Sequence, residues 1–336
     1  MKIKLVHKFE EIVSVDNLLC AWKEFLKDKR NRLDVQKFSL KLINNILPLN
    51  NELVKQVYKH GGYEAFKIND PKPRDIHKAS VRDRLLHHAL YRILYPFFNR
   101  KFIADSFSCR IGKGTHKAIN RFKDFSYKVS KNNTQTCYVL KCDIRKFFAN
   151  IDHEVLMEIL KEYIEDEKLL RLLEKIICSF SSDKNKVGLP LGNLTSQLFV
   201  NIYMNKFDQF VKHNLKAKYY IRYCDDFVIF SDNRGQLENY LPQINRFLLQ
   251  ELKLELHPQK VFIKTIASGV DFLGWVNFPD YKVLRTTTKK RMFKKLKENN
   301  NKHESVDSYL GLLSHGNTYK LKNKVVQYIE PLYTPH

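Results

Sequence analysis

Two runs rich in β-branched and aromatic residues, Tyr219-Tyr220-Ile221-Arg222-Tyr223 and Phe227-Val228-Ile229-Phe230, are separated only by Cys224-Asp225-Asp226. A link this short between two strand-like runs predicts a β-hairpin, with two acidic residues at its tip. Adjacent acidic pairs such as Glu10-Glu11 and Glu165-Asp166 ordinarily lie on solvated surface. Here the flanks hold paired charge where two apolar strands end, a costly place for it unless a cation neutralises it. Oxygen ligands without histidine suit Mg²⁺ or Mn²⁺. A second strand-like run, Cys137 to Cys142, ends on Asp143. Phosphoryl transfer by two metal ions about 3.5–4 Å apart uses carboxylates from separate elements, and a strand-end Asp beside a hairpin Asp supplies them.

Charge points to the partner. Among 336 residues, Lys and Arg number 59 and Asp and Glu 36, a formal net charge of +23. That excess favours a polyanion, because each phosphate neutralised by Lys or Arg releases counterions. Nucleic acid is the first partner it suggests; a ribosomal-type protein or a basic membrane-surface protein has the same signature. Between Arg285 and Lys302 there are eight Lys or Arg and one Glu. The six cysteines are scattered without a CxxC pair, as expected of reduced thiols in a cytoplasmic protein. His153-Glu154 opens like a zinc-protease motif, but Met157 stands where the second histidine belongs. No apolar run is long enough to span a membrane, and Met1–Glu11 is too polar for a signal peptide.

Periodicity organises the rest. The first 66 residues are expected to be mostly helical, with helices opening near Asn17 and Asp34, followed by a polar turn holding Pro71 and Pro73. Helical spacing covers Val81–Phe98. Asp152 is placed to cap a helix carrying Val155, Leu156, Ile159 and Leu160 on one face. Further helices are expected from Asn193 to about His213 and from Gly235 to Leu252. Strands are expected around Val261–Lys264 and Gly269–Val276, and a basic helical tail from Lys289.

Seven segments, in one order, resemble the motifs of reverse transcriptases. They are Pro71-Lys72-Pro73-Arg74-Asp75-Ile76, Ser108–Gly114, Val139–Phe148, Gly188-Leu189-Pro190-Leu191-Gly192-Asn193-Leu194-Thr195-Ser196-Gln197, Tyr223-Cys224-Asp225-Asp226, Leu256-His257-Pro258-Gln259-Lys260 and Phe272-Leu273-Gly274-Trp275. The resemblance spans about residues 65 to 325. Cys224 departs from the commoner Ala or Met of the acidic turn and leaves the carboxylates intact. Leu191 and Gln197 replace the Gln and Pro usual in group II intron and retroviral enzymes, and resemble the pattern of bacterial diversity-generating retroelements.

The resemblance implies an α+β right-hand polymerase fold: an N-terminal helical extension over 1–66, fingers over 67–136, a palm of antiparallel strands backed by helices over 137–281 with a fingers segment near 165–190, and a short basic helical thumb over 282–336. It implies RNA-directed DNA synthesis with two Mg²⁺ ions, Mn²⁺ being able to substitute. The metal set would be Asp143, Ile144, Asp225 and Asp226, with Asp226 shaping the site more than binding both ions. Lys72 and Arg74 would grip the triphosphate, although such residues also make plain solvated turns. Phe148 would exclude a 2′-hydroxyl, unless both Phe147 and Phe148 are core. Leu191 and Gly192 would face the template–nucleotide pair, or form an ordinary Pro-Leu-Gly turn. Lys260 would protonate the leaving pyrophosphate, with Lys264 a competitor. The implied partners are template RNA, the RNA/cDNA duplex, dNTPs and a small basic accessory protein oligomer, with no membrane. A phage-defence reverse transcriptase and a maturase-like binder of structured RNA are the alternatives.

Overall fold

The computed structural model describes residues 3–69, 73–182, 186–298 and 303–327. Four helices come first: α1 (Phe9–Val13), α2 (Val15–Phe25), α3 (Leu33–Leu40) and α4 (Leu42–Val54). Ser14 caps α2, its hydroxyl accepting from Asn17 N at 3.2 Å. The helical start ends before residue 66. Tyr63–Ile68 forms β1, which pairs antiparallel with β2 (Arg74–Ala79) from Tyr63↔Ala79 to Ile68↔Arg74. A strand pair thus takes the place of the expected turn, and Asp70, Pro71 and Lys72 lie outside the described residues.

Next come α5 (Val81–Asn99), α6 (Thr115–Val129), β3 (Tyr138–Asp143), a 3₁₀ turn at Phe147–Asn150, α7 (His153–Lys161), α8 (Glu167–Ile177) and α9 (Leu194–Gln209). Asp152 caps α7 by accepting from Val155 N at 3.0 Å. α9 is buried nearly all round, as a helix through the middle of a core must be, and continues into a π-helical turn at Phe210–Asn214. The hairpin follows as β4 (Tyr219–Tyr223) and β5 (Asp226–Ser231), then α10 (Arg234–Leu252) and β6 (Phe262–Thr265). Four strands run in the order β4-β5-β3-β6, with β3 and β6 antiparallel from Tyr138↔Thr265 to Lys141↔Phe262.

The expected strand at 269–276 is two. β7 (Val270–Phe272) and β8 (Trp275–Asn277) form a hairpin across Leu273 and Gly274, whose φ values of 50° and 87° turn the chain. β9 (Lys282–Leu284) completes that sheet, and α11 (Thr286–Glu298), α12 (His303–Leu313) and α13 (Tyr319–Gln327) follow.

The chain divides into two compact units. The first comprises Met1–Gly114, Cys142–Phe227 and Tyr240–Val261; the second comprises Thr115–Lys141, Val228–Asn239 and Phe262–His336. In the second, Trp275, Met292, Leu296, Leu313 and Val325 share a core, so the basic α11 buries an apolar stripe and turns its lysines outward. No helix among the described residues is long and apolar enough to cross a membrane.

Candidate active site

Three backbone segments are stitched together at the ends of their strands, all within the first unit. Ile144 N donates to Asp225 O at 3.2 Å, His257 N to Asp143 O at 2.8 Å, and Arg145 N to Glu255 O at 2.9 Å. These bonds set Asp143, Asp225 and the 255–260 loop side by side. Lys260 N closes that loop onto His257 O at 3.1 Å, and its Nζ reaches Asp143 Oδ1 at 3.0 Å. Lys264, the competing lysine, instead lies in β6 opposite Val139 with its ammonium 5.0 Å from the centre of the Phe262 ring.

Electrostatics single out Asp225. Burial first, and then the Asp143 carboxylate, hold its carboxyl above the usual range; a backbone hydrogen bond, Lys260 and Arg74 act against them. A buried carboxylate raised by a like charge is a group that a bound cation relieves, so the oxygen donors fit a divalent metal. Among the described residues no three His, Cys, Asp or Glu side chains gather into a metal cluster. The charge of Asp143 acts on Asp225; half-buried Asp226 opens β5, and Ile144, almost fully buried, donates its backbone N–H to Asp225 O.

What holds the acidic turn in place is an ion pair that the sequence reading missed. Cys224 turns the chain with φ 60°. Below it Arg222, buried in β4, donates through Nε and Nη2 to the two carboxylate oxygens of Asp208 in α9 at 2.7 and 2.6 Å, and through Nη1 to Cys224 O at 3.1 Å. Tyr220 OH donates to Asp208 as well, at 2.7 Å. An arginine in the middle of an apolar strand run was the available signal, since a charge there needs a buried partner.

The remaining predicted positions converge through backbone contacts. Leu189 N donates to Phe148 O at 2.8 Å, and His77 N to Leu191 O at 3.0 Å. Asn193 Nδ2 returns a bond to His77 O at 2.9 Å. The loop of Leu191 and Gly192 is thus fastened between the Phe148 turn and β2, whose first residue is the exposed Arg74. Gly192 has φ 103°, and a Cβ there would lie 2.8 Å from Ile76 Cγ2. Both facts demand glycine, through contact with the protein's own hairpin. Phe147 is buried, whereas Phe148 is half-buried and packs edge-on against it at 5.6 Å.

The hairpin's base is also anchored by residues outside the motifs. Asp83 accepts from Tyr58 OH at 2.7 Å, Ser80 Oγ at 2.6 Å and Gly61 N at 3.1 Å. Ser80-Val81-Arg82-Asp83 reads as an N-cap signature, and Ser80 does cap α5, so this anchor was partly visible in sequence.

The solved structure of telomerase from Candida albicans in complex with a TWJ fragment of telomeric RNA shares the right-hand polymerase fold. It matches with TM-score 0.50 and 12% identity, over 73% of this chain and 51% of that one. The chain belongs to the reverse transcriptase (RNA-dependent DNA polymerase) family, which it matches over residues 59–277. Similar proteins include the putative COX1/OXI3 intron 2 protein of Saccharomyces cerevisiae, 23% identical over 72% of this chain and 33% of that protein. Protein YkfC of Escherichia coli is 26% identical over 60% of this chain and 62% of its own length. The group II intron-encoded protein LtrA of Lactococcus lactis is 24% identical over 67% of this chain and 47% of that protein. The chain spans between a third and about three fifths of the length of these relatives.

Proposed function

We propose that this chain copies an RNA template into DNA, adding dNTPs to a primer 3′ end. The observation that carries it is the Asp143–Asp225 pair, set at adjoining strand ends with Lys260 on one carboxylate and the Arg74 charge acting on the other. When bound there, Mg²⁺ (or Mn²⁺) supplies activation of the 3′-oxygen and charge neutralisation on the triphosphate. The protein's own groups do the rest. Arg74 presents a planar donor fork to phosphate oxygens, and Lys72 adds a second cation for the same phosphates. Lys260 holds a proton within reach of the carboxylates and delivers it to the departing pyrophosphate. Phe148 stands beside the sugar and excludes a 2′-hydroxyl, its half-exposed ring free to meet a ligand as a core ring is not.

The finer assignment is the error-prone enzyme of a diversity-generating retroelement, working with a small basic accessory protein; Leu191 and Gln197 support it. A maturase-like role in binding structured RNA is the second reading, favoured by the likeness to intron-encoded proteins. Primer extension on an RNA template, with dNTPs and rNTPs compared, separates these. The polymerase extends with dNTPs, and Asp143→Asn or Asp225→Asn lowers extension at least about a hundredfold, some 2.7 kcal/mol of barrier, while RNA affinity is kept. RNA binding without extension by the wild type favours the maturase role. In the same assay Phe148→Ala admits rNTPs; unchanged discrimination with lowered stability makes the ring a packing residue only.

A further inference from the structure

A cleft of about 390 Å³ lies within the second unit, lined by Lys123 and Ser126 of α6, by Phe278, Tyr281 and Lys282 at the β8–β9 turn, and by His315 between α12 and α13. None of these residues belongs to the carboxylate site. The walls are held firmly. Phe278 N donates to Tyr281 O at 2.8 Å, and Asn317 N to Lys282 O at 2.9 Å. Gly316 lies so close to Trp275 that a Cβ there would meet the indole at 2.1 Å. The Phe278 and Tyr281 rings stack at 4.8 Å and 20°, with Tyr281 48% exposed.

Two lysines, Lys123 and Lys282, line this cleft. Burial and then Lys123 push the Lys282 ammonium below its ordinary value. Its Nζ lies 5.3 Å from the Trp275 ring centre. The rings of His116 and His315 lie 3.9 Å apart, and burial, His315 and Lys282 together push His116 down. The carboxylate in the lining, Asp280, accepts from Asn133 Nδ2 at 2.8 Å. Mutually repelling cations beside a stacked aromatic wall are complementary to an anion that carries a ring.

We propose that this cleft binds a single nucleotide, with its phosphate between Lys123 and Lys282 and its base against the Tyr281–Phe278 stack. The volume sits at the small end of ligand pockets and admits one nucleotide. Stacking on an aromatic ring tolerates any base, and a pair of lysines reads phosphate alone, so the site is indifferent to sequence. A free nucleotide and an unpaired nucleotide of a bound RNA strand offer the same chemistry.

The test is photolabelling of the full chain in EDTA with 8-azido-AMP and, separately, with a short single-stranded oligoribonucleotide carrying one 8-azidoadenosine. The labelled peptides are then mapped. The label is expected on the peptide containing Tyr281, displaceable by inorganic phosphate. The half-saturating concentration should rise at least about tenfold in Lys123→Ala and in Lys282→Met. Lys123 is exposed, so its variant keeps the fold, which a melting curve checks. Labelling by the mononucleotide assigns a free nucleotide, and labelling by the oligonucleotide alone assigns an RNA strand. Label from neither probe on this peptide, or saturation unchanged in both variants, overturns the site.

Discussion

Asp225 carries the largest electrostatic burden of the site, and its removal has two opposite effects. Its carboxyl is raised above the ordinary 3.8 by burial and by Asp143. A carboxyl raised on folding binds protons more tightly in the native state, so its charge destabilises the fold above the native titration range. The destabilisation fades as pH falls through that range. Asp225→Asn therefore abolishes extension yet raises the Tm of the metal-free protein at pH 7, by about 1–3 °C. The gap between variant and wild type should close as the pH is lowered into the carboxylate range. A lower Tm at pH 7, measured by differential scanning calorimetry without divalent cation, would contradict the strained pair. Leu191 raises a separate question, of fidelity. Its side chain is half-buried beside Gly192, and its carbonyl is taken by His77 N. An aliphatic group gives shape without a hydrogen bond, so a mispair is rejected by less energy. Leu191→Gln should lower misincorporation about 2- to 13-fold, the equivalent of one bond worth about 0.5–1.5 kcal/mol, read by deep sequencing of cDNA. An error rate unmoved by the substitution makes Leu191 a packing residue.

Among the elements, the β4–β5 hairpin depends most on one buried interaction. Arg222 and Asp208 are 1% and 0% exposed, and the guanidinium also holds the carbonyl of Cys224. Breaking such a pair from one side leaves an uncompensated buried charge, at a cost of about 3–5 kcal/mol. Asp208→Asn should lower the unfolding free energy obtained from urea titration by that amount, whereas Tyr220→Phe, which removes one hydrogen bond to the same carboxylate, costs only about 0.5–1.5 kcal/mol. Equal effects would mean that the pair adds nothing beyond an ordinary hydrogen bond. The β1–β2 hairpin has the opposite character. Five of the six residues of β1 are exposed, among them Phe66 and Ile68. With so few core-facing positions the segment carries no alternating hydrophobic pattern, so its sequence has the look of a helix end and a turn although it forms a strand pair.

For the whole molecule, the excess of positive charge is spread over both units and concentrated in α11. Lys290, Lys294 and Lys297 are exposed on the outer face of that helix, while Met292 and Leu296 hold its inner face. Reversing these three lysines to Glu should leave the fold intact and flatten the log-salt slope of RNA binding by about 2–3 units, some 0.7–0.9 per lost phosphate contact. Filter binding from low to moderate salt measures it. An unchanged slope assigns this face to solvent or to a protein partner.

How much was visible beforehand depends on the range of the interaction. Periodicity and capping residues suffice for α5, α7 and α10, and for the β4–β5 hairpin, because those elements are decided by side chains a few residues apart. The order of the motifs points to Asp143, Asp225 and Lys260. Only the tertiary structure decided that Lys260 rather than Lys264 reaches Asp143, since that turns on the bond that closes the loop onto His257. It alone gave Gly192 its reason in the methyl of Ile76, a residue 116 positions distant in sequence. It alone paired Arg222 with Asp208. The chain's own residues dictate which groups are costly to bury, but which partner meets each of them is decided only when distant segments pack against one another.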